Sequence, residues 1–172
     1  RYDVQSAERL LDKAGWLLDE NIQRRTKDNE ILHFKLSYVN VPDRAKVVES
    51  ITQDLLDIGI EVEADPWELE DLFAQVVSPK LFDTLLYGMN TFTDPDRYEL
   101  FHSEQSLNLA SYAGSEETVV IENRETVRVP RVDRLLDRAR SFDPSAGKAE
   151  RLEDYLQFQE LLAGDAPVVF LY

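Results

Sequence analysis

Cysteine is absent from the 172 residues. Disulfides, zinc–thiolate sites and thiol catalysis are excluded with it. The absence suits an exported protein that avoids unwanted bridges. Histidine is nearly absent as well, with His33 and His102 the only two. They fall on different expected elements, and neither has a second His or a Glu at metal-ligand spacing, so both are read as surface or turn residues rather than ligands. The six glycines stand singly, which excludes a glycine-rich phosphate loop. Ser50, Ser103, Ser111 and Ser141 have no G-x-S-x-G context. No apolar run approaches the length needed to span a bilayer. The start, Arg1-Tyr2-Asp3, has no signal-like apolar segment behind it and does not begin like a translated protein, so a fragment of a longer chain is expected.

Positive charge is also scarce. Nineteen basic residues face 34 acidic ones, a net charge of −15. Nucleic acid is excluded as a partner, because phosphate binding needs a basic face, and so is an anionic membrane surface. In so acidic a chain, pairs such as Asp94 with Asp96 or Asp57 with Glu61 arise by chance. Asp94-Pro95-Asp96 is most simply a turn with a helix cap. Nothing here supplies a nucleophile, base or metal set, and no enzyme, cofactor or metal site is expected.

What is present suits a folded α/β domain. Hydrophobic residues make up 43% and aromatics 10%, enough for a sizeable core. Asp3 caps an expected helix through Leu10, Leu11 and Ala14, stopped by Gly15. Trp16 and Leu17 are expected to pack on the core. Two extended segments, 21–25 and 31–39, flank a turn at 27–30. In the second, His33, Lys35 and Ser37 alternate with Leu32, Phe34 and Leu36, which predicts one wet face.

Pro42-Asp43 opens a helix with Val47, Val48, Ile51, Leu55 and Ile58 at helical spacing, ended by Gly59. Residues 60–64 alternate as a half-buried strand. Pro66 is placed in the first turn of a helix over 67–77, which Pro79 stops. Residues 82–87 form a short apolar strand that Gly88 ends. The alternation of helix and strand predicts a mainly parallel sheet flanked by helices.

Beyond it lie a loop at 108–114, a hairpin over 117–129, and a helix from Pro130 with Val132, Leu135, Leu136 and Ala139 on one face. A further helix, capped by Asp143-Pro144, carries Leu152, Leu156, Gln159 and Leu162 and stops at Gly164. Residues 166–171 read as a closing strand. No domain boundary is visible, so residues 1–172 are expected to form a single domain.

Ligands of open α/β sheets lie beyond the carboxyl ends of strands. That directs attention to the loop after Tyr87, where Met89 and Phe92 have little reason to be apolar. Ligand contact and packing against a neighbouring lobe are both open for them. Trp67 is read as a core anchor ahead of a ligand wall.

Several stretches together resemble the family 5 extracellular solute-binding proteins, the peptide- and nickel-type receptors of ABC importers. Tyr2-Asp3 followed by Ala7, Leu10-Leu11-Asp12 and Ala14-Gly15-Trp16 is similar to the family's Y-D-x-x-x-A-x-x-L-L-D-x-A-G-W. Arg44 through Leu55, Ile58-Gly59-Ile60 and Val62 is similar to its helix and strand ending L-x-x-I-G-I-x-V. Phe82-Asp83 with Gly88, Asp94-Pro95-Asp96 with Leu100-Phe101-His102-Ser103, and Val132-Asp133 with Leu135-Leu136 and Ala139-Arg140 match in the same order.

The resemblance implies one lobe of a periplasmic-binding-protein type II-like fold, a fragment of the C-terminal lobe, with an inserted β-hairpin at 117–129. It implies a non-catalytic receptor that captures a small solute, an oligopeptide first, between two lobes and delivers it to an ABC permease. The protein would be extracytoplasmic and, in full length, lipid-anchored. The cleft would be lined by Trp67, Met89, Asn90, Thr91, Phe92 and Tyr112. Many peptide-binding members carry G-W-x-x-D after the strand, the aspartate holding the peptide amine. Here Met89 replaces the tryptophan and no aspartate stands at the matching place. A receptor-derived scaffold for another solute or a protein partner is the alternative.

Overall fold

The computed structural model describes residues 3–90, 94–121, 125–141 and 148–171. They divide into two compact units, Arg1–Met89 and Asn90–Tyr172.

The first unit opens with helix α1, Val4–Lys13. Asp3 caps it by accepting the Ser6 amide at 3.0 Å. That bond and the Ser6 hydroxyl hold its carboxyl below the usual range. Gly15 follows at φ +87, a backbone conformation that costs glycine nothing. Strands β1 (Leu17–Asp19), β2 (Arg24–Lys27) and β3 (Glu30–Ile31) form a small antiparallel sheet. Asp28 and Asn29, both at positive φ, make the two-residue turn between β2 and β3. The expected strand at 21–25 is thus displaced toward 24–27. Leu17 is 58% exposed on β1 instead of packing on the core.

Strands β4 (His33–Val39), β5 (Glu61–Trp67) and β6 (Thr84–Leu86) make the main sheet in the order β5-β4-β6, all parallel. This is the parallel α/β arrangement the helix–strand alternation predicts. Helix α2, Pro42–Asp57, connects β4 to β5. Its Val48 joins Leu36, Tyr38, Ile58, Ile60 and Val62 in the core, with Ile51 and Leu55 packed alongside.

Three local expectations fail here. Ser37, assigned to a wet face, is 2% exposed, because its hydroxyl bonds Asp65 across the β4–β5 pair. Pro66 and Trp67 end β5 rather than start a helix. β5 is an edge strand, where proline's missing N–H leaves no ladder bond unmade. The helix begins only at α3, Leu69–Asp71, and widens into π-helical turns at Leu72–Val77.

The second unit holds helix α4 (Tyr98–Phe101), the antiparallel hairpin β7 (Glu116–Val120) and β8 (Thr126–Pro130), and helices α5 (Arg131–Arg140) and α6 (Lys148–Asp165). Val132, Leu135, Leu136 and Ala139 of α5 are all buried, as their spacing predicts, against Phe101, Tyr112, Tyr155, Phe158 and Leu162.

Of the residues expected on the buried face of α6, Leu162 alone is buried. Leu152 and Leu156 are 60% and 50% exposed. Tyr155, Phe158 and Leu162, a stripe at i, i+3 and i+7, bury more area and take the core side. Gly164 does not stop α6. The helix runs to Asp165 and ends where Ala166 turns to φ +45 ahead of Pro167. The expected cap Asp143-Pro144 lies outside the described residues. The run 166–171 is no strand. Val169 and Phe170 are 81% and 73% exposed, and no sheet edge among the described residues pairs with them.

The Asp94-Pro95-Asp96 turn is built as a clasp. Asp94 accepts the Asp96 amide and pairs with Arg151 at 2.8 Å. Asp96 accepts the Tyr98 amide and pairs with Arg140, which stacks on the Tyr98 ring. The backbone bond, then Arg151, hold the Asp94 carboxyl below its ordinary range. His102 is only 5% exposed, not a surface residue. It stacks on Tyr98, and its Nδ1 accepts the Glu104 amide. Asp133 reaches from the first turn of α5 to accept both the amide and the hydroxyl of Ser103.

Candidate functional site

The carboxyl ends of the three parallel strands lie together at one edge of the first unit. Pairing of Val39 with Trp67 and of Tyr38 with Leu86 puts the last residues of β5, β4 and β6 side by side. The chain beyond each strand therefore leaves from one edge, where α/β sheets bind ligands. Asn40 secures the edge by donating its amide to the Trp67 carbonyl at 2.9 Å.

Trp67 is half-buried there, and its indole is fixed. Nε1 donates to Asp65 Oδ2 at 2.6 Å, and the same oxygen accepts the Ser37 hydroxyl at 2.8 Å. Asp65 and Trp67 are two apart in a strand, so both side chains leave by the same face. One carboxylate thus anchors a large ring by its polar edge and leaves its apolar faces free for contact.

On the other side of β4, Tyr87 follows β6 and packs edge-on against Phe73 of the π-helical turns, ring centres 5.9 Å apart at 67°. Phe73 and Met89 remain 41% and 47% exposed. Gly88 lies between Tyr87 and Met89, and the Arg44 guanidinium from the first turn of α2 crosses it. A Cβ on Gly88 would stand 3.3 Å from Arg44 Nη2.

Of the residues expected to line a cleft, Trp67 ends β5 and Met89 follows β6 at this edge, and Asn90, next in sequence, is exposed. Thr91 and Phe92 lie outside the described residues. Tyr112 belongs to the second unit, where it is 9% exposed. Its hydroxyl donates to Asp165 Oδ2 at 2.7 Å, and its amide donates to the buried Asn108 side chain. Burial first, and then the Asp165 carboxylate, push its phenol up to about 12.

The sequence does not single out Asp65, Ser37 and Arg44, which the structure sets beside Trp67 and Gly88. The i, i+2 spacing of Asp65 and Trp67 is a sequence signal for the first. Ser37 and Arg44 depend on strand pairing and helix placement that no local pattern carries.

No protein-family model matches the sequence. Individual proteins do. The oligopeptide-binding protein AppA of Bacillus subtilis (strain 168) is 27% identical over 177 residues, spanning 99% of this chain and 29% of its own. The nickel-binding periplasmic protein of Escherichia coli (strain K12) is 33% identical over 76 residues, 44% of this chain and 14% of its own. In three dimensions the chain is similar to Bacillus subtilis AppA, solved in complex with a nonapeptide, at a TM-score of 0.79 and 25% identity, over 97% of this chain and 31% of that one. The chain therefore spans under a third of the length of these relatives.

Proposed function

We propose, from the premise that this chain is a homologue of the oligopeptide- and nickel-binding proteins, that it is a fragment of the C-terminal lobe of a two-lobed solute receptor. The receptor captures a small solute, an oligopeptide first, and delivers it to an ABC permease outside the cytoplasm. It performs no catalysis. The observation that carries this reading is the similarity to the Bacillus oligopeptide-binding protein over nearly the whole chain, in sequence and in fold.

The strand-end edge supplies the contact surface. Trp67 offers a ring held by Asp65, Met89 an adaptable apolar side chain, and Asn90 an amide that both donates and accepts. Thr91 and Phe92, next in sequence, are further candidates for solute contact. Tyr112, whose hydroxyl donates to Asp165, is a further candidate for solute contact. The hairpin of β7 and β8 is an inserted decoration of the second unit, tied to α5 by the ion pair of Glu117 with Arg134. Apolar walls with few fixed polar groups suit binding in which burial supplies most of the affinity.

The test is the ligand itself. The full-length protein that carries this chain is purified under mild conditions and denatured, and the released molecules are identified by mass spectrometry. Co-purified short peptides are the expected result. A single non-peptide compound moves the assignment to another solute. No released molecule, together with no thermal shift across a peptide and metal-chelate panel, refutes a receptor role.

A further inference from the structure

The β7–β8 hairpin has an open edge along β7. Two backbone bonds bracket the hairpin: Ile121 N–H donates to the Glu125 carbonyl and Arg131 N–H to the Ser115 carbonyl, each at 2.9 Å. In an antiparallel ladder, successive residues turn their amide and carbonyl to opposite sides. With Ser115 and Ile121 bonded to the β8 side, Glu117 and Val119 bond to β8 as well. Glu116, Thr118 and Val120 turn theirs to the opposite edge, and among the described residues no strand pairs with it. The side chains of the same three residues are exposed, with Val120 at 65%. An unpaired edge of this kind is a template for another strand.

This edge is complementary to itself. An antiparallel pair centred on Thr118 sets it against Thr118 of the partner subunit. Glu116 then meets Val120 of the partner subunit, and Val120 meets the partner's Glu116. Every outward amide finds an outward carbonyl, and no like charges stand directly opposite. The free edge of β8 fails the same test. A pair centred on Arg128 opposes two guanidiniums, and Pro130 has no N–H to donate.

We infer that β7 joins β7 of a second copy edge to edge, in a two-fold symmetric dimer with the sheet order β8-β7-β7-β8. The contact is small and the chain's net charge of −15 opposes approach, so the dimer is weak and strengthens with salt. The inference stands independently of the solute-receptor reading.

Sedimentation equilibrium of the full-length protein, at concentrations up to about 1 mM and in about 0.15 and 0.5 M sodium chloride, reads the dimer. Wild type is expected to dimerise, more strongly at the higher salt. Thr118→Pro removes the central outward N–H and leaves the β8 ladder complete. It is expected to weaken the dimer about tenfold or more. Two variants at the exposed position 120 test the register at the lower salt. Val120→Glu sets a carboxylate against Glu116 of the partner subunit and weakens the dimer, whereas Val120→Lys sets an ammonium there and strengthens it. Within one copy the signs reverse. Position 120 shares its face with Arg128, which stands one diagonal away and 3.9 Å from Glu116. An effect on hairpin stability alone, read from thermal unfolding of the dilute protein, therefore ranks the two variants the other way.

A protein that stays monomeric under all these conditions overturns the inference. So does a dimer that Thr118→Pro leaves unchanged, and so does one that Val120→Glu and Val120→Lys weaken alike.

Discussion

Replacing Asp65 with alanine removes the acceptor that two side chains share. The Ser37 residue is 2% exposed, so its hydroxyl has no route to water once Asp65 Oδ2, 2.8 Å away, is gone. An orphaned buried hydroxyl costs about 1–3 kcal/mol. Trp67 loses a 2.6 Å bond but is only half-buried, so solvent replaces part of it at a net cost of about 0.5–1.5 kcal/mol. The expected destabilisation is about 2–3 kcal/mol, since the two losses share one carboxylate and do not add fully. Ser37→Ala removes the orphan. The double variant Ser37→Ala/Asp65→Ala is therefore expected to fall short of the summed single losses by about 1 kcal/mol.

The measurement is urea unfolding followed by circular dichroism and by tryptophan emission, in a Trp16→Phe background that leaves Trp67 as the chain's one tryptophan. Freed of its anchor, Trp67 is also expected to become more accessible to acrylamide quenching. An Asp65→Ala chain with an unchanged midpoint and unchanged quenching would refute the claim that this carboxylate fixes the ring. So would strict additivity of the two substitutions.

Two further outcomes follow in the second unit. Asp133→Ala strips the Ser103 amide and hydroxyl of their common acceptor and is expected to cost about 2–3 kcal/mol, whereas Ser103→Ala costs about 1 kcal/mol, both read from denaturation midpoints. Tyr112 keeps its proton to about pH 12 in the folded chain against about 10 when unfolded. Between those values the unfolded state has released the proton and the folded state has not, so stability falls as pH rises from about 10 to 12. Tyr112→Phe is expected to flatten that decline in alkaline unfolding curves while lowering stability near neutrality through loss of the Asp165 bond.

The strand-end site was legible only in part. The loop-after-strand rule and the family motifs point to Met89, Asn90 and Trp67, and the structure sets Trp67 and Met89 at the strand-end edge, with Trp67 closing a strand instead of opening a helix. Pro66-Trp67 reads as a helix start because proline favours a helix's first turn. It ends β5 instead because an edge strand tolerates a missing donor equally well. Which of the two applies is decided by the strand's position in the sheet, and sequence does not carry that position. Ser37 reads as solvent-facing for the same reason, as its partner Asp65 stands on another strand.

Sequence by itself determined the elements whose signal is local and periodic. The apolar spacing of α2 and α5, the Asp3 cap, the Asp28-Asn29 turn and the β7–β8 hairpin all appear as read, because backbone geometry alone ties those residues to their roles. Helix–strand alternation likewise set the parallel sheet. Tertiary structure decided what periodicity leaves degenerate. Helix α6 carries two apolar stripes, and the one with Tyr155 and Phe158 is buried because it removes more area from water where α5 presents Leu135 and Leu136. Residues 166–171 have the composition of a strand but no sheet edge to receive their hydrogen bonds among the described residues, and a strand exists only as half of a pair.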